Sequence, residues 1–88
     1  MSQPLVIYWS DDPDENVLEH IAEHGVTVQE AEAVLMTCFG QREPSAAETG
    51  RWVVQGYTPA GRYLMVVFDY DPELELVIPI TAYEPQSE

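Results

Sequence analysis

The sequence predicts an α+β fold, a mostly antiparallel sheet with two helices on one face, and three observations carry that expectation. Two apolar-periodic segments with capping signals follow one another and meet at Gly25. Beyond Gly50 the apolar period changes from helical to strand-like, with Trp, Val, Tyr and Phe at high density. Two turn signals, Thr58–Gly61 and Asp71–Glu73, divide that half into three strands. With one more apolar run ahead of the helices, the expected order is β-α-α-β-β-β.

Leu5–Trp9 is a run of strand formers and reads as a short buried strand. Ser10-Asp11-Asp12-Pro13 then opens a helix. Asp12 can accept from the unpaired amides of the first turn, Pro13 suits the first helical position, and Glu15 lies three residues after Asp12. Leu18, Ile21 and Ala22 supply the inward stripe, with Val17 beside them. Gly25 ends this helix in a left-handed conformation. Thr27-x-x-Glu30 is a capping box for the second helix. Its Val28, Ala31, Val34 and Leu35 form the apolar face, while Glu30 and Glu32 point outward. The helix is expected to end near Thr37–Gly40, and 41–50 reads as an exposed polar loop. Arg51–Thr58, Arg62–Tyr70 and Leu74–Tyr83 read as strands. In the last, alternation puts Leu74, Leu76, Ile78, Ile80 and Ala82 on one face. Pro79 has no amide for a ladder, which predicts an edge strand or a bulge there.

The 88 residues suffice for one domain over 1–88, with a flexible tail at 85–88. An apolar share of 45% argues against disorder throughout. Three arginines, no lysine and sixteen Asp plus Glu give a formal net charge of −13. Such a surface is ill suited to gripping phosphate backbones or anionic lipid. Cys38 stands alone, so no internal disulfide can form, which fits a reducing compartment. No apolar run reaches the ~20 residues that cross a bilayer, and the N-terminus lacks the basic stretch of a secretory signal. The expectation is a soluble cytoplasmic protein with no membrane association.

Several residues carry candidate chemistry. His20-Ile21-Ala22-Glu23-His24 matches the H-x-x-E-H spacing, which sets two imidazoles on one helix face. Gly25 ends that helix at once and no third ligand is apparent, so the alternative is that His24 caps helix carbonyls at the negative end of the dipole. No metal and no cofactor is therefore expected. Cys38 reads as a small thiol at a helix end rather than a nucleophile, since thiolates need an electropositive setting. Arg51 and Arg62 both open strands. Each can hold phosphate through its planar fork, or pair with local carboxylates such as Glu48 or Asp69. Arg42 falls in the loop and reads as solvated. Eight of the aromatics, among them Tyr57 and Tyr63, can pack the core or stack on bases.

Read in order, several pieces resemble the BrnT family of bacterial toxins, over about Leu5–Glu84. They are the strand Val6-Ile7-Tyr8-Trp9 with Ser10-Asp11, Asn16 ahead of His24-Gly25-Val26, and the acidic helix Gln29–Leu35. Gly56, Gly61-Arg62 and the final Thr81-Ala82-Tyr83 complete the pattern. The resemblance implies a RelE-like fold and metal-independent RNA cleavage, held in check by a basic DNA-binding antitoxin as partner. Carried over by position, it makes His24, Arg51, Arg62, Tyr83 and Glu84 the candidate catalytic residues. The chain departs from the family at its cations: Glu23 stands where the family has Lys, and Ile78 and Tyr83 where it has arginines. Lost donors of that kind weaken both phosphate binding and transition-state stabilisation. Two classes follow: a toxin-like component with weak ribonuclease chemistry and little RNA affinity when isolated, or a non-enzymatic acidic domain that binds a basic protein. A nucleic-acid mimic is a third, less favoured class.

Overall fold

The computed structural model describes residues 6–10, 16–46 and 49–85. Strand β1 (Val6–Ile7) precedes helices α1 (Val17–Glu23) and α2 (Val28–Cys38), and a 3-10 turn follows at Phe39–Gln41. Strands β2 (Glu43–Pro44), β3 (Trp52–Tyr57), β4 (Tyr63–Asp71) and β5 (Leu76–Tyr83) complete the chain. They form one five-stranded sheet in the order β1-β5-β4-β3-β2. Every pair is antiparallel except β1 with β5. The α+β class and the single mostly antiparallel sheet are thus as the sequence implies, with a fifth short strand inside the segment read as a loop. Glu43 and Pro44 pair with Val53 and Trp52 there.

Local chemistry accounts for the joints. Gly25, at φ 75°, donates to the Ala22 carbonyl and Val26 donates to the Ile21 carbonyl, both at 2.9 Å. This is the two-bond motif that closes a helix on a left-handed residue. Thr27 Oγ1 accepts from the Glu30 amide at 3.1 Å, and Glu30 Oε1 accepts from the Thr27 amide at 3.0 Å, completing the capping box. The β3–β4 hairpin closes through Thr58, whose amide donates to the Arg62 carbonyl at 2.7 Å, with Gly61 at φ 90°. Asp71 Oδ1 receives the amides of Glu73 at 3.0 Å and Leu74 at 3.4 Å in the β4–β5 turn.

Both helices pack on one face. Ile21, Val26, Ala31, Val34 and Leu35 meet Val54, Leu64, Val66, Phe68, Val77 and Ala82 in a single buried cluster. No described element covers the other face, which carries Val53, Gln55, Met65, Val67, Thr81 and Tyr83.

Three expectations need correction. The inward residues of α1 are Val17 and Ile21, whereas Leu18 is 43% exposed and Ala22 is exposed. The helix begins at Val17 behind Asn16, whose φ of 52° breaks the helical backbone, so its stripe is rotated from the one assumed. Asp12, Pro13 and Glu15, read as its start, lie outside the described residues, as do Leu5, Glu48 and positions 86–88 of the tail. In β5 the buried residues are Val77, Pro79 and Ala82, so of the alternate set only Ala82 is buried. Phe68 pairs with Pro79 and Val67 with Thr81, which leaves Ile80 as an extra residue and reverses the alternation. Pro79 therefore marks the bulge, the second of the two expected alternatives, in a strand that pairs with β4 and meets β1 only at Leu76 and Val77. Finally, β1 is not buried: Val6 and Tyr8 are exposed beside the sheet's outermost pairing.

Candidate functional site

Four of the five candidate residues gather at one end of the molecule. Antiparallel pairing sets Met65 opposite Tyr83, which brings the start of β4 beside the end of β5. The closing turn of α1 lies over the same end. Arg62, just ahead of β4, is its hub. Its Nε donates to Glu84 Oε2 at 2.8 Å, and one terminal nitrogen donates to Glu30 Oε1 at 3.0 Å and to the Gly25 carbonyl at 2.5 Å. The other donates to the His24 carbonyl at 3.4 Å. One guanidinium thus ties the end of α1, the start of α2 and the end of β5 to the β3–β4 hairpin. The carbonyls of His24 and Gly25 are capped by Arg62 and not by the His24 imidazole.

The electrostatics follow from these contacts. The hydrogen bond that Arg62 donates to Glu84 raises the Arg62 pKa above its usual value, against a smaller opposing effect of burial. The Thr27 amide lowers that of Glu30, burial opposes it, and the charge of Arg62 lowers it further. Glu30 is therefore a structural anion, held by the capping box that the sequence predicts and also by Arg62. Glu32 is likewise engaged, accepting from Trp9 Nε1 at 2.8 Å.

His24 is exposed, and its ring lies 5.9 Å from that of Tyr83, tilted by 51°. The Tyr83 hydroxyl donates to Met65 Sδ at 2.9 Å. The imidazole and the phenol are neighbours, and the Glu84 carboxylate, next to Tyr83 in sequence, is held by Arg62. Arg62 already directs its donors at acceptors of the chain, so a phosphate would have to displace Glu84 or Glu30 to reach it.

Arg51 lies apart. It precedes β3, at the far end of the hairpin from Arg62, and its Nε is 3.4 Å from Asp69 Oδ1. With Val17, His20, Ile80 and Thr81 it lines a half-open cavity of about 310 Å³. His20 Nδ1 is 4.0 Å from Glu23 Oε1. Among the described residues, no group of three or more His, Cys, Asp or Glu is placed to hold a metal.

Arg42 corrects the sequence reading most. It is half-buried and not solvated, with its guanidinium carbon 4.3 Å from the Phe39 ring centre, 5.2 Å from Tyr70 and 5.4 Å from Trp52. One terminal nitrogen donates to the Phe39 carbonyl at 3.2 Å. Only Phe39 is near in sequence; Trp52 and Tyr70 arrive through the sheet, and no local signal could have named them. The Tyr57 and Tyr63 rings pack at 4.8 Å, tilted by 60°, on the surface, with Tyr57 67% exposed.

No helix is long and apolar enough to cross a membrane among the described residues. No family model, curated protein or solved structure matches the chain.

Proposed function

We propose that this chain is the toxin-like member of a two-protein module of the toxin–antitoxin type, with the RelE-like fold that its resemblance to BrnT toxins implies. Its working chemistry is to bind a basic protein partner rather than to cleave RNA. One observation carries this reading: every arginine is engaged within the chain. Arg62 holds Glu30, Glu84 and two carbonyls, Arg51 lies against Asp69, and Arg42 is stacked among three rings. The chain, of formal charge −13, thus has no arginine set out to receive phosphate. RNA affinity arises mainly from counterions released by cations at phosphates, so this surface forgoes it. The same field raises the encounter rate with a basic protein and makes that rate fall with salt.

The second reading is a weak metal-independent ribonuclease. The meeting of His24, Tyr83, Glu84 and Arg62 at one end favours it, since these supply proton-transfer groups around a cation.

Purified protein titrated with labelled single-stranded RNA at about 0.15 M salt, and co-expressed with the adjacent reading frame for pull-down at low and high salt, separates the two. The expected result is weak RNA binding, no cleavage, and a complex that loosens as salt rises. Tight RNA binding, or cleavage that Arg62→Ala abolishes and Arg42→Ala spares, would establish the nuclease instead.

A further inference from the structure

The uncovered face of the sheet is less polar than an exposed face should be. Antiparallel sheets with one face in water normally alternate apolar and polar residues. Here the outward positions of β3, β4 and β5 include Val53, Met65, Val67 and Tyr83. Val67 is only 9% exposed although no described element lies over it. Pro44, Ser45 and Ala46 rise beside these strands and form one wall of a groove of about 450 Å³ whose floor is Val53, Met65 and Val67. Glu43 and Gln55 line its rim, and both also line a smaller adjoining hollow of about 240 Å³ beside Tyr63.

We infer that this groove is the docking surface for a basic amphipathic helix of the partner, an inference that rests on the partner reading above. Shape, apolarity and charge each argue for that occupant. Three adjacent strands at ~4.8 Å spacing present a floor ~10 Å across, about the diameter of one helix. The apolar floor requires an apolar stripe, and the covered face already solves the same problem with helices. The acidic rim at Glu43, set in a chain of net charge −13, requires lysines or arginines on the flanks of that stripe. An extended strand would instead seek a sheet edge, and at Trp52 and Val53 the β3 edge is already taken by β2.

The test uses a lysine–leucine peptide of about five helical turns with leucines on one face, and a scrambled peptide of identical composition. Affinity is measured by fluorescence anisotropy for the full chain and for three variants. Gln55→Lys and Gln29→Lys make the same charge change, one at the groove rim and one on the exposed face of α2. Met65→Glu adds a negative charge to the groove floor. The expected outcome is that wild type prefers the amphipathic peptide to the scrambled one. Gln55→Lys should weaken it about tenfold and Gln29→Lys less than about twofold. Met65→Glu should also weaken it about tenfold, although overall attraction alone would tighten it. Melting curves confirm that each variant is folded. Equal affinity for both peptides, equal effects of the two Gln→Lys changes, or tighter binding by Met65→Glu would overturn the groove while leaving a basic partner in place. No binding of either peptide would overturn both.

Discussion

The two faces of the sheet are made from alternate residues of the same strands, yet they are built for different ends. On β4, Leu64, Val66 and Phe68 turn toward the helices and are fully buried, while Met65 and Val67 turn the other way. The covered face is closed by side chains of this chain alone. No described element covers the other face, whose groove is floored by Val53, Met65 and Val67 and rimmed by the Glu43 carboxylate. The difference allows two kinds of test within one strand: a substitution at Leu64, Val66 or Phe68 tests stability, and one at Met65 tests the docking proposed for the other face.

The sharpest way to break that comparison is to truncate one residue on each face. Phe68→Ala should cost about 3–5 kcal/mol, from lost transfer energy and a cavity that helices fixed by caps cannot fill. Met65→Ala should cost less than about 1 kcal/mol, since it removes one half-exposed side chain and its contact with the Tyr83 hydroxyl. Urea unfolding of both variants measures the pair. Comparable losses would mean that the uncovered face is part of the core.

A smaller effect tests the covered side from the opposite direction. Gly56 on β3 lies so close under α2 that an added Cβ would overlap Cys38 Sγ. Gly56→Ala should cost about 1–3 kcal/mol by overpacking. The double variant Gly56→Ala with Cys38→Ala should regain most of that loss, because the obstruction goes with the sulfur. A double variant as unstable as the sum of its parts would place the strain elsewhere.

What the sequence made legible follows the same division. The local chemistry was readable: the Thr27–Glu30 box, the Gly25 closure, the Thr58–Gly61 hairpin and the Asp71 turn each depend on residues within a few positions. Matters settled by the sheet were not. The bulge at Ile80 reversed the burial of β5, and it depends on which residues of β4 face Pro79. Arg42 reads as solvated until β3 and β4 bring Trp52 and Tyr70 to it. Arg62 was singled out, but its anions were misassigned, because Glu30 and Glu84 lie 32 and 22 residues away along the chain. Of the candidate set, His24, Arg62, Tyr83 and Glu84 converge through the antiparallel pairing of β4 with β5, whereas Arg51 is carried to the other end by the length of the hairpin.

The helix junction above the covered face gives a prediction of about 1 kcal/mol. Thr27→Ala removes the side-chain half of the capping box and should cost that much. Glu30 adds a pH signature. Its pKa is lowered on folding, so the unfolded chain binds its proton more readily. The stability it contributes is present above the ordinary glutamate value, about pH 4.3, and is lost as pH falls through the lower folded value. Glu30→Gln should therefore be less stable than wild type at neutral pH, with the gap closing on acidification. A gap that stays constant down to about pH 3 would mean that the charge on Glu30 contributes nothing.

The smallest expected effect belongs to the surface as a whole and to the uncovered face in particular. Arg62 and Arg51 engage Glu30, Glu84 and Asp69, but sixteen carboxylates face three arginines, so most of the anionic field is unopposed. Repulsion of this kind is screened when the Debye length shortens to ~8 Å near 0.15 M salt. Moving from low salt to that level should stabilise the protein by less than about 1 kcal/mol, a rise of no more than about 4–8 °C in Tm for a chain of this size. The attractive pairs at Arg62 work against the gain, since they too are screened, and the sign of the change reports which set is larger. Gln55→Lys, which relieves repulsion at the groove rim, should flatten the salt dependence while raising Tm slightly at low salt. A Tm that falls with NaCl would mean that the few ion pairs outweigh the surplus of carboxylates, and the surface would then lack the field that the docking of a basic helix requires.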